Sequence, residues 1–134
     1  MKKIEHIGIA VKDIQSSNNL FAKLFNAQPY KTERVESEGV STSFFQMGDS
    51  KIELLQATRP DSPIAKFLEK KGEGIHHIAF EVEDIFAEME RLRKEGFVLL
   101  NEEPKRGADD KLICFLHPKD TNGVLIELCM QIRD

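Results

Sequence analysis

No stretch of the chain approaches the roughly 18 consecutive apolar residues of a membrane-spanning helix, so no membrane partner is expected. The opening MKKIEHIGIA passes straight into an alternating pattern without a secretory h-region or cleavage site, and both absences predict a cytoplasmic protein. Clustered positive charge is missing too. The net charge is −4, and no Lys/Arg block is interleaved with aromatics, which argues against nucleic acid as a partner while leaving room for a small anionic ligand. Cysteine is scarce: Cys114 and Cys129 are too few and too far apart for a disulfide framework or a CxxC motif, so core packing in a reducing compartment suits them. There is no low-complexity segment, and 134 residues at 40% hydrophobic content suffice for one domain or two small modules sharing a core.

What the chain does contain is an internal repeat. IEHIGIAVKDI at 4–14 returns as IHHIAFEVEDI at 75–85, and each copy is followed by an apolar strand pattern with one glutamate inside it. Glu53 follows His6 by 47 residues, and Glu127 follows His77 by 50. Periodicity predicts a strand over 4–11, a helix over 13–26, and strands near 29–35, 40–47 and 51–57, with turns at Glu38-Gly39 and Gly48-Asp49-Ser50. The second copy repeats the order: a strand over 75–82, a helix over 84–95 stopped at Gly96, then strands near 97–100, 111–117 and 123–130. The reading is α+β: a single domain of two tandem βαβββ modules, about 1–58 and 74–134, joined by a helical linker over 59–73.

Residues two apart on a strand share a face, and this parity separates two environments. One face carries Ile7, Ile9 and Val11, Ile52 and Leu54, Ile78, Phe80 and Val82, and Val124, Ile126 and Leu128, and is expected to lie under the helices. The other carries His6, Gly8 and Ala10, Glu53 and Leu55, His77 and Ala79, and Leu125, Glu127 and Cys129. All four chemically distinctive residues are thus in phase, with small neighbours beside each histidine that leave space for a ligand.

A lone histidine in a strand is most often a hydrogen-bonded structural residue. Two ionised carboxylates among apolar neighbours are a different matter, because each costs several kcal/mol unless paired or bound to a cation. No Arg or Lys sits at matching positions in both copies, so His6, Glu53, His77 and Glu127 are read as four ligands of one metal. Two neutral imidazoles and two carboxylates balance a divalent charge and suit Zn²⁺, Co²⁺, Ni²⁺ or Mn²⁺ better than Ca²⁺. His76 has the opposite parity and is expected to face the helix layer. His117, in HPK at a strand end, is a weaker candidate for a contact beyond the ligands.

The repeated βαβββ with HIGIAV and HHIAFEV resembles the vicinal oxygen chelate superfamily, over the whole chain. Within it, DSPIAKFLEKKGEGIHHIAFEVEDI (61–85), EEPKRGADDKLICFLHPKD (102–120) and GVLIEL (123–128) are similar to the methylmalonyl-CoA epimerases. The resemblance implies a curved mixed sheet around a metal held by His6, Glu53, His77 and Glu127, an acyl-CoA substrate and a homodimer. It also has departures. Some epimerases carry a further glutamate, proposed as a catalytic base, where Thr42 stands here, and threonine cannot act as a base near neutral pH. The family's glycine-rich turn is Ala108-Asp109-Asp110, which adds negative charge where a CoA thioester would approach.

The implied reaction interconverts (2R)- and (2S)-methylmalonyl-CoA by removing the α-proton through a metal-stabilised enolate. Glu127 is the first choice for one base, and the repeat offers Glu53 for the other. A glyoxalase I-like lactoylglutathione lyase would use the same ligand set, and a non-catalytic binder of small ligands belongs to the same superfamily. An extradiol dioxygenase fits less well, since that chemistry uses two histidines and one carboxylate around iron.

Overall fold

The computed structural model describes residues 1–133, as eight strands and three α-helices. The chain divides into two compact units, His6–His76 and the combination of Met1–Glu5 with the residues from His77 onward. In the first, β1 (Lys3–Ala10), α1 (Ile14–Phe25), β2 (Lys31–Val35), β3 (Val40–Met47) and β4 (Ser50–Ala57) form a βαβββ module, followed by α2 (Pro63–Lys71). Its strands are ordered β2-β3-β4-β1, with β1 parallel to β4 and the other pairings antiparallel. In the second, β5 (Gly74–Glu81), α3 (Ile85–Lys94), β6 (Lys105–Arg106), β7 (Lys111–Leu116) and β8 (Ile126–Gln131) repeat the pattern. The order β6-β7-β8-β5 is the same topology, with β5 parallel to β8.

The aspartate shared by VKDI and VEDI explains why a helix starts at the same place in each copy. Asp13 caps α1 by accepting a hydrogen bond from the Gln15 N–H, and Asp84 caps α3 by accepting from Phe86 and Ala87. α1 stops at Asn26, whose left-handed φ of 53° is one that asparagine tolerates. Ser62 caps α2 through the Ala65 N–H, with Pro63 in the first turn where its missing N–H costs nothing.

Most of the expected apolar face lies under the helices, while Val124 is 41% exposed. Val11, Phe45 and Leu54 pack with Ala22, Phe21 and Phe25 of α1, and Val82, Cys114 and Leu128 pack with Ile85, Met89 and Leu92 of α3. Helix α2 instead covers Ala10, Val40 and Leu55, which belong to the opposite face of the first module, with Ile64, Phe67 and Leu68. Among the described residues no helix is long and apolar enough to cross a membrane.

Two strand expectations in the second module need correction. The segment near 97–100 forms an isolated bridge, Leu99 to Leu116, and β6 is the two-residue strand Lys105–Arg106. The edge is interrupted: Leu100 N–H still donates to Phe115 O, but Phe115 N–H donates to the Asn101 side chain instead of a backbone carbonyl, and Pro104 follows. The last strand begins at Ile126 rather than 123, because Pro118–Asp120 forms a 3-10 turn and Gly123 takes a φ of 85°, leaving Val124 outside the ladder.

Candidate metal centre and active site

The two modules place their histidine and glutamate by one rule of register. Across the parallel pair β1–β4, Gly8 lies opposite Glu53, and across β5–β8 Ala79 lies opposite Glu127. Each histidine sits two residues before that small residue, on the same face, so imidazole and carboxylate meet on a diagonal with no bulky side chain at the glutamate's cross-strand position. The result is His6 Nδ1 at 3.1 Å from Glu53 Oε2 in the first unit, and His77 Nε2 at 3.3 Å from Glu127 Oε1 in the second. All four residues are about 5% exposed. On its other side each glutamate faces a phenylalanine, Phe44 for Glu53 and Phe115 for Glu127, and the Phe115 ring stands edge-on to His77 at 5.8 Å.

These separations fit a metal. Bonds of about 2.0–2.2 Å to nitrogen and oxygen, set at angles near 90–110°, bring neighbouring ligand atoms to about 3.0–3.4 Å from each other. One nitrogen and one oxygen per pair, in an apolar surround, is the donor chemistry of a borderline divalent cation. Glu5, directly before His6 in sequence and only 3% exposed, is a further buried carboxylate. Sequence parity gave no reason to single it out.

Five other expectations can be placed. His76 packs edge-on against Phe67 of α2 at 5.0 Å, so it does face a helix, and burial pushes its pKa down to about 4. His117 accepts a hydrogen bond at Nδ1 from the Lys119 N–H and so caps the turn that follows β7. Cys114 and Cys129 are both buried and unbridged, Cys114 under α3 and Cys129 with Ala79 and Ile113, and burial raises the Cys114 pKa. Thr42 is 1% exposed on β3, opposite Leu55 and therefore on the face of Glu53. In the turn before β7, Asp109 and Asp110 have φ of 59° and 53°, the left-handed conformation that favours glycine. A Cβ at Gly107 would lie 2.8 Å from the Ile113 side chain, which would have to shift to accept one.

Two βαβββ modules, each with a buried histidine–glutamate pair, define a vicinal oxygen chelate fold. The profile of the Glyoxalase/Bleomycin resistance protein/Dioxygenase superfamily matches residues 5–115, and the chain belongs to that family. Its similar relatives include methylmalonyl-CoA epimerases. The ethylmalonyl-CoA/methylmalonyl-CoA epimerase of Cereibacter sphaeroides is 43% identical, over 94% of this chain and 96% of the relative. The human mitochondrial methylmalonyl-CoA epimerase is 42% identical, over 94% of this chain and 72% of its own length. Among solved structures, a variant of the Streptomyces coelicolor methylmalonyl-CoA epimerase in complex with 2-nitronate-propionyl-CoA superposes with a TM-score of 0.93 at 37% identity, covering 99% of each chain.

Proposed function

We propose that this protein is a metal-dependent epimerase that interconverts (2R)- and (2S)-methylmalonyl-CoA, with His6, Glu53, His77 and Glu127 together holding one divalent ion of the Zn, Co, Ni or Mn type. The observation that carries the reading is the pair of buried histidine–glutamate contacts at matching registers, in a chain whose relatives over nearly its full length are epimerases.

When bound, the ion supplies Lewis-acid stabilisation of the negative charge that develops on the thioester oxygen as the α-proton leaves. The residues do the rest. Glu127, buried beside His77 and Phe115, takes the proton from one face of the α-carbon, where its desolvated carboxylate needs no water to be displaced. Glu53 is its counterpart in the repeat and the candidate for the opposite face, and either glutamate would have to loosen from the metal to take a proton. Gly8 and Ala79 place no bulky side chain at the cross-strand positions of the two glutamates. We further propose a homodimer, as the family resemblance implies, and a cytoplasmic setting, to which the free thiols of Cys114 and Cys129 are suited.

The test is wash-in of deuterium. Protein loaded with a divalent ion, given either epimer of methylmalonyl-CoA in deuterated water, should interconvert the epimers with label entering the α-carbon, and should not turn over a glutathione hemithioacetal. Tight metal binding without any α-proton exchange would instead favour a non-catalytic binder.

A further inference from the structure

The second module buries a cation that its fold does not require. β7 and β8 pair Phe115 with Glu127 and, at the end of the same ladder, Lys111 with Gln131, so Lys111 projects to the face that carries Glu127. It is 8% exposed, and no other lysine or arginine among the described residues is buried. In the first module the matching register positions are held by Val40 and Ala57, which pack under α2. An apolar pair therefore suits this corner of the fold. The unit that contains Lys111 has no helix over this face, because its one α-helix, α3, packs against Leu112, Cys114, Leu116 and Leu128, which project to the opposite side.

Nothing in the chain neutralises this charge. The Lys111 ammonium donates to Gln131 Oε1 at 2.6 Å, and among the described residues it meets no carboxylate within ion-pair distance. The neighbouring Asp110 carboxylate is held by Arg106 at 3.4 Å instead. Gln131 donates in turn through Nε2 to the Asp110 carbonyl at 3.2 Å, so its amide is fixed at both ends and aims the ammonium without cancelling its charge. Two of the three N–H donors of the ammonium are left for other acceptors. Taking a charge out of water without a counter-charge is costly, and the apolar residues of the first module avoid that cost. Gln131 is exposed, and Lys105, also exposed, projects to the same face opposite Ile113, so the ammonium lies where solvent and solutes reach.

Building on the epimerase reading, we infer that Lys111 and Gln131 form a subsite for an anionic oxygen group of the acyl-CoA, a phosphate or the malonyl carboxylate, with Lys105 adding positive charge at its rim. The bound anion supplies the counter-charge that the chain lacks and accepts the two remaining N–H donors of the ammonium. Gln131 keeps those donors pointed in one direction before the substrate arrives. The subsite holds the substrate and takes no part in proton transfer, so it sets affinity and leaves the turnover of the bound complex nearly unchanged.

The experiment compares metal-loaded wild type and Lys111→Met, which removes the charge while keeping an unbranched side chain. Two substrates are used: methylmalonyl-CoA, and the methylmalonyl thioester of pantetheine, which lacks the phosphates. Lys111→Met should raise KM for methylmalonyl-CoA by about 10- to 100-fold, the range for a hydrogen bond to a charged group, with kcat within about threefold of wild type. A rise with the CoA thioester alone assigns the subsite to a phosphate, and a rise with both assigns it to the malonyl carboxylate. The ligand-free variant should melt at the wild-type temperature or above it, because the fold loses an uncompensated charge. KM within about twofold of wild type for both substrates would overturn the assignment. A melting temperature several degrees lower would also overturn it, by making Lys111 a structural residue. Wild type that neither interconverts the epimers nor binds free coenzyme A would contradict the epimerase reading itself. Inactive wild type that still binds coenzyme A more tightly than Lys111→Met does would remove that reading and leave the subsite standing.

Discussion

In the first module Gly8 faces Glu53 and Phe44 flanks it; in the second Ala79 faces Glu127 and Phe115 flanks it. The surroundings of these matched cores diverge. The first module has a five-residue edge strand carrying Lys31 and Glu33 and a helix, α2, packed over the face that bears its glutamate. The second has a two-residue edge strand, a turn of left-handed aspartates, and the buried Lys111, whose ammonium donates to the Gln131 side chain at 2.6 Å, in the row where the first module has Val40 and Ala57. Duplicated registers keep the two histidine–glutamate pairs equivalent, while the edges of the two sheets differ.

The largest effects should come from the matched cores. His6→Ala and His77→Ala are each expected to strip the metal and to lower epimerisation by more than about 100-fold, which is the upper range for losing only a partner of a ligand. Metal analysis of both variants checks this, and a severe loss in one with none in the other would break the equivalence of the modules. Chelator treatment of wild type should likewise abolish turnover, and a divalent ion should restore it. Glu127→Gln keeps an oxygen donor without its basicity, so metal should stay while the epimerisation rate falls by roughly two to four orders of magnitude. Glu53→Gln tests whether the modules share the chemistry: as the second base, Glu53 should give a rate loss as deep as that of Glu127→Gln. Near-normal turnover with metal retained would assign Glu53 to metal binding only.

Stability probes sharpen the comparison further. Ile64→Ala in α2 should destabilise the fold by about 2–5 kcal/mol, as Met89→Ala in α3 should, because both side chains are buried in apolar clusters. Equilibrium denaturation measures both, and a negligible effect at Ile64 would show that α2 merely connects the modules. The smallest effect belongs to the second module's turn: Asp110→Gly should stabilise by up to about 1 kcal/mol by relieving a positive φ, read as a small rise in melting temperature.

Much of this was legible in the amino-acid order. The repeat announced both modules, and the aspartate in each VxDI marked a helix start, because a short acceptor side chain there satisfies N–H groups that the helix leaves open. Parity alone put His6 with Glu53 and His77 with Glu127 on shared faces, since a period of two survives any sheet curvature. Pairing between distant strands was not legible. Glu33 reads as one charge in an alternating strand, and only the β2–β3 register places it opposite Thr42. Glu5 was hidden for the opposite reason, as its parity excluded it although β1 buries it beside His6 in sequence. The strand near 97–100 was overcalled because Phe97, Val98 and Leu99 read as β formers, while the side chain of Asn101 takes over a ladder hydrogen bond and breaks the pairing.

The central claim, that two equivalent pairs serve one ion, is tested most directly by titrating a divalent metal such as Co²⁺ into chelator-treated protein and reading the stoichiometry by calorimetry. One ion per chain, with binding lost equally in His6→Ala and His77→Ala, is the predicted result. Two ions per chain, each abolished by only one of the substitutions, would mean that each module keeps a site of its own.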